Sequence, residues 1–196
     1  AGGGMTMIWW ANPDDFGATY QMLRNDAGGD GRYEFRINSG AYCQFDGGSV
    51  SMQSPSSSIT AGDWNMCVVT SNDTHDDWHL YLNGVEVDTD TNSFSIPNDN
   101  DLKFIAHQIS SGGSAGAFLD GYIDEVSYWV RELSSSEVSE LWNNGNGARA
   151  DSLANIEGMR VYYDFEGERT TGGCGFTGEC ITNMAPSTAQ SAVAGA

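Results

Sequence analysis

Positive charge is scarce in this 196-residue chain. It holds 8 Lys plus Arg against 27 Asp plus Glu, a formal charge of −19, and Lys103 is its single lysine. Phosphate backbones and anionic lipid surfaces are bound through clustered cations, so neither nucleic acid nor a membrane surface is an expected partner. Long apolar runs are also lacking. No stretch approaches the roughly 20 residues of a membrane-spanning helix, so membrane insertion is not expected. The opening Ala1-Gly-Gly-Gly4 has neither the basic start nor the apolar core of a signal peptide. A removed leader and a trimmed initiator methionine both fit it. Cysteine is sparse: four residues allow three pairings. The chain has no CxxC pair and no His-rich partner for one, which argues against zinc.

What is abundant points elsewhere. The 25 glycines are too many for a helical bundle and suit a chain full of turns. Hydrophobic residues make up 39%, with 8 Phe, 8 Tyr and 6 Trp, so this is not a disordered acidic polymer. The length suits one domain with a sizeable core and is too short for two comfortable ones.

Period-two runs dominate the chain. Met5 to Trp10 alternates two faces and stops at Asn12-Pro-Asp14. Arg32 to Ile37 alternates polar and apolar, and Asn38-Ser-Gly40 turns it into Ala41 to Phe45. Trp64 to Thr70 is more continuously apolar and reads as a central strand. His79 to Leu82 and Val85 to Val87 flank Asn83-Gly84, the pair that supplies two positive-φ residues to a type I′ turn. Leu102 to Ala106 and Gly121 to Trp129 are two further strands. Seven or more strands with frequent turns predict an all-β sandwich or jelly roll. One short helix is predicted near 134–143: Ser134 and Glu137 form a capping box, Leu133, Val138, Leu141 and Trp142 form an apolar stripe, and Asn144-Gly145 ends it. The domain reading is a sandwich over 1–147. Residues 148–196 are a connector, a C-terminal strand at Arg160 to Phe165, and a Gly-rich loop. A Cys174–Cys180 disulfide would pin that loop. Cys43 and Cys67 lie in separate expected strands and could pair across a sheet; buried free thiols are the alternative.

Phe118-Leu-Asp-Gly-Tyr-Ile-Asp-Glu-Val-Ser-Tyr-Trp129, followed by Arg131-Glu-Leu-Ser-Ser-Ser-Glu-Val-Ser-Glu-Leu-Trp142, resembles the closing signature of laminin-G-like domains of the concanavalin A-like superfamily. Met7 to Pro13, Gly62 to Thr70 and Leu80 to Gly84 resemble earlier family segments in the expected order. The resemblance spans about residues 5–145 and implies a concanavalin A-like jelly-roll sandwich. The usual N-terminal strand is missing ahead of Met5. Met159 to Gly167 resembles the segment that often begins such domains, which implies that the C-terminal strand fills that place in cis or serves a neighbouring subunit in trans. Domains with such a tail resemble virion and bacterial-surface members.

Four groups of residues are candidates for chemistry. Glu86, Asp88 and Asp90 share one strand face at a spacing of roughly 6.6–6.8 Å per pair, near glycosidase geometry. On an outer hairpin strand, however, they read as a solvated edge guard. His75, His79 and His107 lie near no nucleophile motif. The resemblance implies a structural calcium at Asp124, with Asp120 preceding it, and Asp26 and Asp30 form a second oxygen-rich loop. Trp10, Trp64, Trp129 and Trp142 fall at core positions of the family, whereas Trp9 and Trp78 are free to stack on a sugar or anchor a partner. The expected function is a non-catalytic surface module for recognition or assembly. It is extracellular or on a virion surface, oligomeric, with protein partners and glycan as ligand. The rival reading is a polysaccharide-degrading enzyme of the same superfamily.

Overall fold

Alternation of side chains builds two antiparallel sheets face to face. The computed structural model describes residues 3–25, 32–94, 96, 102–105, 107–109 and 115–165. Its strands are β1 (Met5–Pro13), β2 (Tyr20–Asn25), β3 (Tyr33–Asn38), β4 (Tyr42–Gly47), β5 (Val50–Gln53), β6 (Asn65–Ser71), β7 (Trp78–Leu82), β8 (Val85–Asp90), β9 (Leu102–Ile105), β10 (His107–Ile109), β11 (Ala115–Phe118), β12 (Gly121–Trp129) and β13 (Met159–Tyr163). One sheet runs β13-β12-β1-β6-β7-β8 and the other β5-β4-β3-β2-β9, with β10 and β11 forming a separate pair. The sequence-predicted all-β sandwich is therefore the fold. The Asn83-Gly84 turn takes the two positive φ values, 53° and 78°, that a type I′ hairpin requires.

The core between the sheets holds Trp9, Phe35, Phe45, Trp78 and Leu80. Phe45 and Trp78 stack with ring centroids 5.3 Å apart. A disulfide between Cys43 on β4 and Cys67 on β6 crosses this core, with Cα atoms 6.5 Å apart, inside the normal span. Cys174 and Cys180 lie outside the described residues. On the flank, the backbone N–H groups of Gln53 and Ser51 donate to the carboxylates of Asp88 and Asp90, each at 2.9 Å. Those two acids therefore tie β5 to β8 across the open side of the sandwich.

A second core lies on the far face of the six-stranded sheet. Helix α1 (Ser135–Trp142) packs Val138 and Leu141 onto Ile8, Val68 and Trp129 there. Its capping box is complete: Ser134 accepts from the Glu137 N–H, and the Glu137 side chain accepts from the Ser134 N–H. The helix ends at Asn143, which takes the left-handed conformation itself, ahead of Gly145. Residues 148–165 belong to this same body. Ala150 and Leu153 are buried in the second core, and β13 pairs with β12 of its own chain, with Tyr162 opposite Ser127. As a result β1 is covered on both faces, Met7 and Trp9 by one core and Ile8 and Trp10 by the other.

Candidate functional site

The helix-covered face is open at one end, and the opening is set by an irregularity in β12. On β1, Ile8 stands opposite Ser127 and Trp10 opposite Asp124, so Trp9 faces two residues, Glu125 and Val126. That is a β-bulge, a device that re-aims side chains. Glu125 takes φ +49°, an uncommon conformation for a residue with a β-carbon. The bulge turns two successive acids, Asp124 and Glu125, toward one cleft. Trp10, Trp64 and the segment Gly145 to Arg149 complete its lining, around a volume of about 270 Å³. Gly147, at φ +69°, carries the backbone closely past the Trp10 ring, whose other support is the stacked ring of Trp142 at 5.3 Å.

The charges in the cleft are arranged unequally. Both Glu125 oxygens accept from the Tyr162 hydroxyl, at 2.8 and 2.9 Å, and one also accepts from the Ala150 N–H at 3.0 Å. Burial pushes its carboxyl above the ordinary value, and these hydrogen bonds resist the shift. Asp124 accepts from the Glu125 N–H at 2.8 Å. Arg149 is held by Asp151 at 3.0 and 3.1 Å and by Asp164 at 2.9 Å, with its guanidinium 5.7 Å over the Tyr162 ring. Trp64 is 40% exposed and offers a ring beside these polar groups. An aromatic face next to hydroxyl acceptors suits a ring that is apolar on one side and hydroxylated at its rim.

Several expectations are corrected by this geometry. Trp9 and Trp78 are completely buried and offer no face to a ligand. Trp9 points away from Trp10, but the helical layer gives β1 two interiors, so opposite direction does not mean exposure. Trp78 opens β7 pointing inward, and its Nε1–H donates to the His75 carbonyl at 3.0 Å. Trp64, expected in the core, sits at the cleft mouth instead. Asp120 precedes β12, whereas Asp124 lies within it and lines the cleft. Among the described residues no three carboxylate, imidazole or thiol groups gather closely enough to hold a metal. Asp26 and Asp30 lie outside the described residues. The sequence signal missed was the bulge, because glutamate is an unusual occupant of its left-handed position.

Residues 1–139 match the laminin G-type model of the concanavalin A-like lectin/glucanases superfamily. The chain belongs to this superfamily. No curated protein sequence matches it. Among solved structures, a Bacteroides ovatus protein whose carbohydrate binding is inferred is similar at TM-score 0.65 and 18% identity, over 87% of this chain and 48% of that one. This chain thus spans about half the length of that protein. The Ruminococcus gnavus sialidase CBM40 bound to α2,3-sialyllactose is similar at 0.51 and 12%, over 71% and 83%. The heptameric SAP-like pentraxin of Limulus polyphemus is similar at 0.53 and 15%, over 75% and 72%.

Other polar clusters of this superfamily member are paired largely among themselves. On the five-stranded sheet, Glu34 pairs with Arg24 at 3.5 Å and Arg32 at 3.4 Å, while Arg36 bridges Glu34 and Asp46. Glu86 is bound by His79 at 2.9 Å. Ser71 Oγ lies 2.7 Å from His75 Nδ1, but Ser71 is wholly buried and no substrate can reach it. Burial holds the His75 imidazole below the ordinary value of 6.5, against the pull of Asp73 and Asp76. A depressed histidine contributes stability that is whole above 6.5 and is lost as pH falls through its folded value. Wild type should therefore lose more melting temperature between pH 7.5 and 5.5 than His75→Asn, a variant that tolerates the local φ of +52°. Equal losses in a pair of melting series would refute this.

Proposed function

We propose that the chain is a non-catalytic carbohydrate-binding module whose cleft holds a neutral sugar ring against Trp64. The observation that carries this reading is the exposed Trp64 ring beside the Asp124 carboxylate, in a concave site on a rigid sheet. The fold it shares with a sialyllactose-binding CBM40 supports the same class of ligand. Neutrality follows from charge. The whole chain carries −19, and Arg149 already has two carboxylate partners. An acidic sugar would meet repulsion without an unpaired counter-ion in the cleft. Glycoside hydrolysis needs two carboxyl groups flanking the bond, and Glu125 has both oxygens committed to Tyr162 and Ala150. The cross-core disulfide fits an oxidising, extracellular setting. Display in an oligomer on a cell or virion surface is the setting we propose.

A glycan array followed by calorimetry tests this. Neutral glycans should bind in preference to their sialylated counterparts. Trp64→Ala should lose at least tenfold in affinity, about 1.4 kcal/mol, with an unchanged melting temperature. Undiminished binding by Trp64→Ala, or release of reducing ends from a bound polysaccharide, would overturn the proposal.

A further inference from the structure

The cleft does not end at Trp64. Asn12 follows Trp10 on the same face of β1, and its partner on β12 is Tyr122, which is 67% exposed. On the other side Ala11 pairs with Asn65, so Trp64 falls beside Asn12, and the Gly62 N–H continues the contact by donating to the Pro13 carbonyl at 2.8 Å. Three residues therefore form a row: Tyr122 on β12, Asn12 on β1 and Trp64 just ahead of β6. Neighbouring strands lie about 4.8 Å apart, which separates the two aromatic positions by about 10 Å. Between them the Asn12 side-chain oxygen is buried and accepts no hydrogen bond.

Resting on the sugar-binding reading of the cleft, we propose that this row extends it into a linear track for a neutral oligosaccharide. One ring stacks on Trp64, a further ring covers Tyr122, and the unit between them passes over Asn12. An aromatic spacing of about 10 Å is that of alternate units of an extended saccharide chain, with one ring between them, rather than of a single ring. Tyr122 is not among the residues that line the cleft, so it separates chain length from ring recognition.

One-, two- and four-ring oligomers of glucan, xylan and mannan, titrated by calorimetry into the full chain, test the track. In the series that binds, affinity should rise at least tenfold from one ring to four. Tyr122→Ala should abolish that gain and leave the one-ring affinity unchanged, while Tyr122→Phe retains it. Trp64→Ala should weaken every length. A gain that survives Tyr122→Ala, or no gain in wild type, overturns the track and leaves the cleft reading standing. One-ring binding indifferent to Trp64→Ala, or no binding by any oligomer, overturns both.

Discussion

Replacing Cys43 and Cys67 together by alanine should destabilise the fold by about 3.5 kcal/mol, the chain-entropy value for a loop of this length. The two cysteines are 24 positions apart, and the bond joins β4 of one sheet to β6 of the other. Its effect is chiefly on the unfolded chain, which it prevents from separating the first hairpin from the central strand. Both sulfurs are fully buried in the core, so a small loss of packing adds to the entropic term. For a chain of this size, the melting temperature should fall by about 10 °C. Thermal melts of wild type and the double variant, without reductant, give the answer. A difference under about 3 °C would mean that the sheets are held together without need of the bond.

Trp78→Ala should cost more per residue than any other single truncation discussed above, about 3–5 kcal/mol. Its ring stacks on Phe45, lies 6.1 Å from Phe94 and 5.7 Å from His75, and its nitrogen donates to the His75 carbonyl. Truncation opens a large hole and leaves that carbonyl without its indole donor. Because Trp78 lies in the inter-sheet core and the cleft lies on the opposite face of the sheet, the fraction that remains folded should bind glycan with unchanged affinity. Denaturant unfolding and calorimetry below the transition separate the two effects. Intact stability with lost binding would return Trp78 to the role of ligand platform.

How much of this was legible in the sequence depends on how local the signal was. The Asn83-Gly84 hairpin, the Ser134–Glu137 capping box and the strand from Gly121 to Trp129 are encoded within a few residues, and the structure shows each of them. Strand β2 was not anticipated. Tyr20 to Asn25 buries Gln21 and Arg24 among partners on the sheet face, so its alternation carries no clean apolar pattern. Strand β5 has only four residues, too few for periodicity to register. The misplaced tryptophans share one cause. Alternation tells which residues point apart, but not how many layers exist to receive them. Trp9 and Trp10 both found an interior, whereas Trp64, just outside a strand, did not. The cleft depends on the bulge at Glu125, where a glycine would have announced the left-handed residue and a glutamate conceals it.

The double covering of β1 has a consequence for the order of synthesis. Met7 pairs with Val69 on one side and with Tyr128 on the other. Among the described strands, β1 is thus made before both of its neighbours, and its second cover, the helix, is made later still. Until then Met5 to Trp10 remains an apolar strand with both edges unpaired, the kind of segment that associates with other chains. Long-range pairing of this sort makes folding slow. The nascent chain must therefore carry this adhesive segment unprotected until β12 is made, and the yield of soluble protein should be governed by how quickly β12 arrives to close over it.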